Sequence, residues 1–257
     1  MLRVGVIDYV NMSPLFHALR TNIISHNATF SFGAPEEINR QFLKKELDVA
    51  SISAAHFLDH RLEYVLLSDL GLAATQEVMS IRLFSKKKPN ELDGATLFLP
   101  THSASSVTIL KKICKHFWKI NPVFCPYSEP AEALFSQDHP FLVIGDECLI
   151  LYEKHPEYPS LDLAQAWHSL TDKALCLAVI ATRNDAFISK RHEVIEFQKC
   201  VENSFLWAQN NMPEIIKCAA LKTGCTPSLL EKYYSIFEYQ LTPKHFHGLN
   251  YLAQSSF

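Results

Sequence analysis

The stretch Val4-Gly5-Val6-Ile7-Asp8-Tyr9-Val10-Asn11-Met12-Ser13-Pro14-Leu15 decides the fold class. Leu2 to Ile7 is an apolar run with β-branched residues, too short for a helix, and reads as a buried strand. Ser13 then reads as a helix N-cap, with Pro14 at the first helical position, where a fixed φ and a missing N–H suit the helix. A strand that passes through a short polar turn into a helix is the unit of an α/β protein, and ligands are held at such turns. Asn11 lies in this one. Its amide donates and accepts, and the free N–H groups at the helix start favour a carboxylate or phosphate. Asparagine is also a turn former, so on this stretch alone it can equally serve the backbone.

Outward from there, strand and helix signals alternate. Thr29 to Phe32 reads as a strand, and Pro35-Glu36-Glu37-Ile38 opens a helix that Lys44 and Lys45 close, so both ends suit the dipole. Asp48 to Ile52 reads as a third strand, followed by a short helix through Phe57 and Leu58 and a strand at Tyr64 to Leu67. This order predicts a parallel sheet. The extended run Val78 to Ser85 leads into Lys86-Lys87-Lys88-Pro89-Asn90 and reads as the exit from a first lobe. A second series follows: strand Ala95 to Leu99, helix Ser105 to Trp118, strand Pro122 to Cys125, helix Ala131 to Phe135 and strand Phe141 to Ile144. It closes with the extended run Ala174 to Ala181. Beyond Asn184 the pattern is helical, over Glu193 to Gln209, Pro213 to Lys222, Ser228 to Phe237 and Pro243 to Ala253, and those helices need an apolar surface to cover. The expected architecture is α/β, with two lobes joined by two hinge strands around a ligand cleft. Residues 1–85 plus 182–257 form lobe 1, which carries both termini, and residues 86–181 form lobe 2.

Composition bounds the function. The chain has 257 residues, 48% of them hydrophobic, and a net charge of -3. No broad basic field is available for nucleic acid or an anionic membrane surface, so an acidic ligand must be met locally. No apolar run approaches the roughly 18 residues of a membrane span. The N-terminus reads as mature sequence without an export signal, which predicts a cytoplasmic protein. Seven scattered cysteines without a C-x-x-C pair read as free thiols rather than disulfides or a zinc site. The twelve histidines show no metal-ligand spacing, and nucleotide-binding glycine loops and a G-x-S-x-G elbow are absent. Neither a metal nor a cofactor is predicted.

A second strand-to-helix turn, Leu99-Pro100-Thr101-His102-Ser103-Ala104-Ser105-Ser106-Val107, offers hydroxyls and free N–H groups. One of its serines can simply cap the helix. Paired with Asn11 in the other lobe, the turn can instead hold the far end of a ligand with two acidic groups. A third, Ile144-Gly145-Asp146-Glu147, places Asp146 either as a helix cap or on a ligand hydroxyl. His102 beside the serines is no base merely by being a neighbour in sequence.

Taken together, the segments Tyr9-Val10-Asn11-x-x-Pro14-Leu15, Glu46-Leu47-Asp48-Val49-Ala50, Val78-Met79-Ser80, Ser103-x-Ser105-Ser106-Val107, Ile144-Gly145-Asp146, Trp167-x-x-x-Thr171 and Tyr233-Tyr234 resemble the chorismate dehydratases of the futalosine route to menaquinone (the MqnA type of the MqnA/MqnD family). The resemblance spans nearly the whole chain. It implies a periplasmic-binding-protein type II fold used as an enzyme. The implied activity is that of a hydro-lyase turning chorismate, a small dicarboxylate, into 3-[(1-carboxyvinyl)oxy]benzoate and water without cofactor or metal. Asn11 and Asp146 become the catalytic candidates, and Tyr9, Ser13, Ser80, Ser103, Ser105, Ser106 and Thr171 the substrate-binding ones. All but Asp146 are neutral, so one substrate carboxylate is a candidate proton acceptor.

Two departures bear on the substrate. Thr171-Asp172-Lys173-Ala174-Leu175 stands where the family usually has Thr-Gly-x-Pro-Phe, and Gln76-Glu77 replaces the Gly-Pro before Val78. A 1,4-dihydroxy-6-naphthoate synthase-like enzyme of the same pathway and a non-catalytic cytoplasmic solute-binding protein share the expected fold. The oligomeric state, monomer or homodimer, is open at this level.

Overall fold

Residues Leu2–Ile7 form strand β1, with Leu2, Val4, Val6 and Ile7 buried. The structure, a computed structural model, describes residues 1–128 and 130–254. β1 is apolar on both faces because it is an inner strand, paired in parallel with β2 (Ala28–Gly33) and β3 (Val49–Ser53). Helices α1 (Ser13–Arg20) and α2 (Pro35–Leu43) make the connections. α2 buries Ile38 and Phe42 and carries Glu36 and Glu37 in its first turn, as its dipole favours. Ser53 caps α3 (Ala54–Asp59) by accepting the His56 N–H, and β4 (Tyr64–Ala74) follows.

The chain then builds β5 (Ile81–Phe84), β6 (Thr96–Pro100), α4 (Ala104–Lys112), β7 (Val123–Tyr127), β8 (Phe141–Ile144), α5 (Gly145–Lys154), β9 (Ser160–Asp162) and α6 (Leu163–Thr171). It returns through β10 (Leu175–Arg183) and ends in α7 (Asn184–Ser189), α8 (Arg191–Asn210), α9 (Met212–Thr223), α10 (Pro227–Ser235), β11 (Glu238–Gln240) and α11 (Pro243–Gln254). Two sheets result, ordered β11-β4-β10-β3-β1-β2 and β7-β6-β8-β5-β9, and each is the centre of an α/β lobe.

Several expectations change. The first sheet is mixed: β10 inserts between β3 and β4 and runs antiparallel to both. Both long extended runs also pair differently from their reading in the sequence. Val78 to Ser85 contributes β5 to the second sheet, antiparallel to β8 and β9, and Ala174 to Ala181 supplies most of β10 to the first. An apolar run buried on both faces carries no mark of which sheet it joins. The helix expected over residues 105–118 is α4 followed by a wider π turn at Ile113–Trp118, and the one expected at 131–135 is a 3-10 turn. At the start of α1 the N-cap is Met12 rather than Ser13, because the 3-10 turn Val10–Met12 runs straight into the helix.

One carboxylate shapes the first crossing. Asp162, 1% exposed, caps α6 through the N–H groups of Ala164 and Gln165 and also accepts those of Val78 and Met79. Arg82 pairs with it at 3.4 Å and stacks on Tyr152. These bonds hold Met79 at φ 57°, a left-handed conformation that a side chain disfavours. At the return, α11 lies so close to the chain that a Cβ on Gly248 would fall 2.0 Å from the Ala174 carbonyl oxygen.

Candidate functional site

The 3-10 turn Val10–Met12 has its backbone groups taken up from outside. Tyr234 Oη donates to the Val10 carbonyl at 2.9 Å, and Tyr239 Oη donates to the Asn11 carbonyl at 2.8 Å. The Val10 N–H donates to Asp146 of the other lobe at 2.9 Å. With the turn fixed in this way, the Asn11 side chain is not needed to shape it. Its Oδ1 is buried without a hydrogen-bond partner in the fold, an arrangement that is expensive unless a donor from a ligand or a water completes it.

Asn11 faces a cavity between the lobes, walled from the first lobe by Ile7, Tyr9 and Met12 and from the second by Ile144 and Ile109. Ser103, Ser105 and Ser106 open into the same cavity from the N-terminus of α4. None of them caps that helix through the N-cap side chain, and Ser105 Oγ is buried and unpartnered like Asn11 Oδ1. Free N–H groups, the positive end of the helix dipole and three hydroxyls make this end of the cavity an anion cradle.

Ser80 forms another part of the wall. Its Oγ accepts from Tyr233 Oη at 2.8 Å, its N–H donates to the Val78 carbonyl, and its carbonyl accepts the Gly145 N–H at 2.8 Å. Tyr233 is completely buried, which pushes its hydroxyl far above the ordinary tyrosine range and keeps it a donor. Tyr9 packs its ring face to face with the backbone of Gly145, whose φ of +68° and missing side chain make room for it. Among the described lining residues there is no Asp, Glu, Lys, Arg or His.

Six of the nine residues expected at the site, Tyr9, Asn11, Ser80, Ser103, Ser105 and Ser106, thus meet around one cavity. Three do not. Ser13 lines a separate open groove on the far side of Tyr9. Thr171 closes α6, donating to the Trp167 carbonyl at 2.7 Å and accepting the Lys173 N–H. Asp146 caps nothing and does not line the cavity; its carboxylate is held by the Val10 N–H and by Lys222 at 3.2 Å. Burial nonetheless raises its carboxyl above the ordinary value, with Lys222 opposing. His102, which burial lowers, also stays off the wall.

The sequence reading missed Asn39 and Ser53, which line the cavity from α2 and β3 and bond each other, Asn39 Nδ2 to Ser53 Oγ at 3.0 Å and Ser53 N to Asn39 Oδ1 at 3.2 Å. No local motif marks them. Tyr233 was visible only as part of Tyr233-Tyr234. The two departures from the family pattern, at Gln76-Glu77 and Asp172 to Leu175, also stay off the wall, and Glu77 pairs with Lys232 at 3.4 Å instead. All seven cysteines are unpaired, Cys218 exposed and four of the others buried. Among the described residues no group of three or more His, Cys, Asp or Glu could hold a metal ion, and no helix is long and apolar enough to cross a membrane.

A family model described as menaquinone biosynthesis matches residues 2–256 of the chain. The chorismate dehydratase of Thermus thermophilus is 27% identical over 266 residues, covering 98% of this chain and 93% of that protein. Among solved structures, protein AF1704 of Archaeoglobus fulgidus superposes with a TM-score of 0.76 at 19% identity, covering 98% of this chain and 94% of that one. The Candida albicans CA3427 product, described as showing the generic periplasmic binding protein fold, gives 0.69 at 12% identity, covering 100% and 91%. The periplasmic aliphatic sulphonate binding protein SsuA of Escherichia coli gives 0.67 at 11%, covering 98% and 90%. The fold is therefore of the periplasmic-binding-protein kind.

Proposed function

The chain belongs to the menaquinone biosynthesis family, and from that premise we propose that it is a chorismate dehydratase, a hydro-lyase forming 3-[(1-carboxyvinyl)oxy]benzoate and water. One observation carries the reading: Asn11 from one lobe and the Ser103 to Ser106 turn from the other line a single cavity with unpartnered hydrogen-bonding atoms at both ends. Such a cavity suits a ring that carries a carboxylate for the α4 hydroxyls and a hydroxyl that donates to Asn11 Oδ1, with the ring against Ile7, Met12, Ile109 and Ile144.

In the reaction a ring C–H bond and the neighbouring C–OH bond break, and the new π bond completes an aromatic ring. The gain of aromaticity supplies the drive, so the protein has to orient the ring, accept one proton and ease the departure of hydroxide. The described wall holds no Asp, Glu, Lys, Arg or His, and burial raises its Tyr9 and Cys176 so that they stay protonated, which supports a substrate carboxylate as the proton acceptor. Asn11 and Ser80 then hold the reacting edge, while the serines of α4 fix one carboxylate.

Incubating the purified protein with chorismate and following the loss of its diene absorbance, with identification of the product, tests the proposal. The expected result is conversion to the aromatic enol ether. Binding of chorismate without its consumption would make the protein a solute binder instead.

A further inference from the structure

Asp146 stands one residue outside the cavity wall, yet both of its oxygens are engaged across the lobes. One accepts the Val10 N–H at 2.9 Å, and the other lies 3.2 Å from the Lys222 ammonium. Lys222 comes from α9, which packs on α1 of the first lobe, and it also donates to the Asp8 carbonyl at 2.6 Å and approaches the Asp8 carboxylate at 3.2 Å. Beside this pair, a Cβ on Gly145 would fall 2.5 Å from the Tyr9 ring. Every one of these contacts converges on Asp8 to Val10, the backbone that leads into Asn11.

Resting on the reading of the site given above, we propose that Asp146 and Lys222 form an interlobe latch that aims Asn11 into the cavity when the lobes close. Asp146 is then a positioning residue and not the proton acceptor. The carboxylate is turned to the Val10 backbone and the ammonium, and a base must instead reach the proton it removes. Opening the lobes breaks both contacts together, since each partner of Asp146 belongs to the opposite lobe. A protein whose competent state is less populated binds its ligand more weakly in proportion, while the chemistry of the bound state is preserved.

The split between KM and kcat therefore separates latch from base. Asp146→Ala should raise KM for chorismate about ten- to a hundredfold, with kcat kept within about threefold. Asp146→Asn keeps an acceptor for the Val10 N–H and should recover part of that loss. Lys222→Met should also raise KM, and adding it to Asp146→Ala should do little more, because both act through one contact. In the free protein, the Val10 amide should exchange faster in Asp146→Ala and in Lys222→Met. A collapse of kcat at unchanged KM in Asp146→Asn would make Asp146 the base, and an ordinary KM in Lys222→Met would remove the latch. Should the unmodified protein leave chorismate intact, the substrate reading fails, and the Val10 exchange comparison still decides the latch.

Discussion

Asn11 sits in a turn held through the backbone: two tyrosine hydroxyls take its own carbonyl and that of Val10, and Asp146 takes the Val10 N–H. Removing its side chain should thus leave the turn intact while deleting one ligand bond. Leaving a buried ligand hydroxyl without its acceptor costs about 1–3 kcal/mol, so Asn11→Ala should lower kcat/KM about five- to a hundredfold with little change in Tm. Asn11→Gly should do the same, and full activity in that variant would reduce Asn11 to a turn former. Asp48 works at the same scale but for stability. It is 2% exposed on its side chain, and Arg3 and Lys190 each reach it at 2.7 Å. Burial alone would raise its carboxyl, but the guanidinium and ammonium hold it well below the ordinary carboxylate range. A depressed value stabilises the fold above the unfolded carboxylate value of about 4, and this stabilisation is lost as pH falls through the folded one. Asp48→Asn should cost about 1–3 kcal/mol at pH 7, since Arg3 and Lys190 keep access to water, and the gap from the unmodified protein should narrow progressively as pH falls below about 4 in urea titrations.

Elements show where the sequence was legible. β1, the turn at Asn11 and the serine-rich start of α4 were readable because strand, turn and helix chemistry change within a few residues there. The sheet membership of β5 and β10 was not, since pairing depends on chain segments far away in sequence and every residue of both strands except Leu177 is buried. Asp162 was equally silent: its value lies in joining Val78 and Met79 to the start of α6 across some eighty residues. The departure at Asp172 has a local explanation. It follows α6 at φ 56°, the left-handed position where the family usually places glycine, and its exposed carboxylate sits at the negative end of the helix dipole. Asp172→Gly removes both penalties and should stabilise the protein by about 1 kcal/mol, a rise in Tm of roughly 2–4 °C at this size, without changing KM. A lower Tm would mean that the Asp172 side chain has a structural role that this geometry does not supply.

For the whole molecule, the positions of the strands suggest how it moves. We propose that the moving units follow the sheets, residues 81–171 against the remainder, with the crossings near residues 75–80 and 172–174 as hinges; this shifts the boundaries expected from the sequence to the ends of β4, α6 and β10. A ligand gripped by Asn11 on one side and by the start of α4 on the other couples these units, so its effect on stability should reach both. The aromatic product carries the same two carboxylates as chorismate and is not consumed, which makes it the probe. At a hundred times its Kd it should add about 2.7 kcal/mol, or roughly 5–10 °C in Tm, and should slow amide exchange around Val10 to Met12 and around Ala104 to Val107 together. Ser105→Ala should shrink the Tm shift while leaving that of the free protein nearly unchanged, because its hydroxyl has no partner within the fold. Protection confined to one of the two turns would show that the ligand sits within a single lobe, and the coupling of the lobes through the cavity would have to be abandoned.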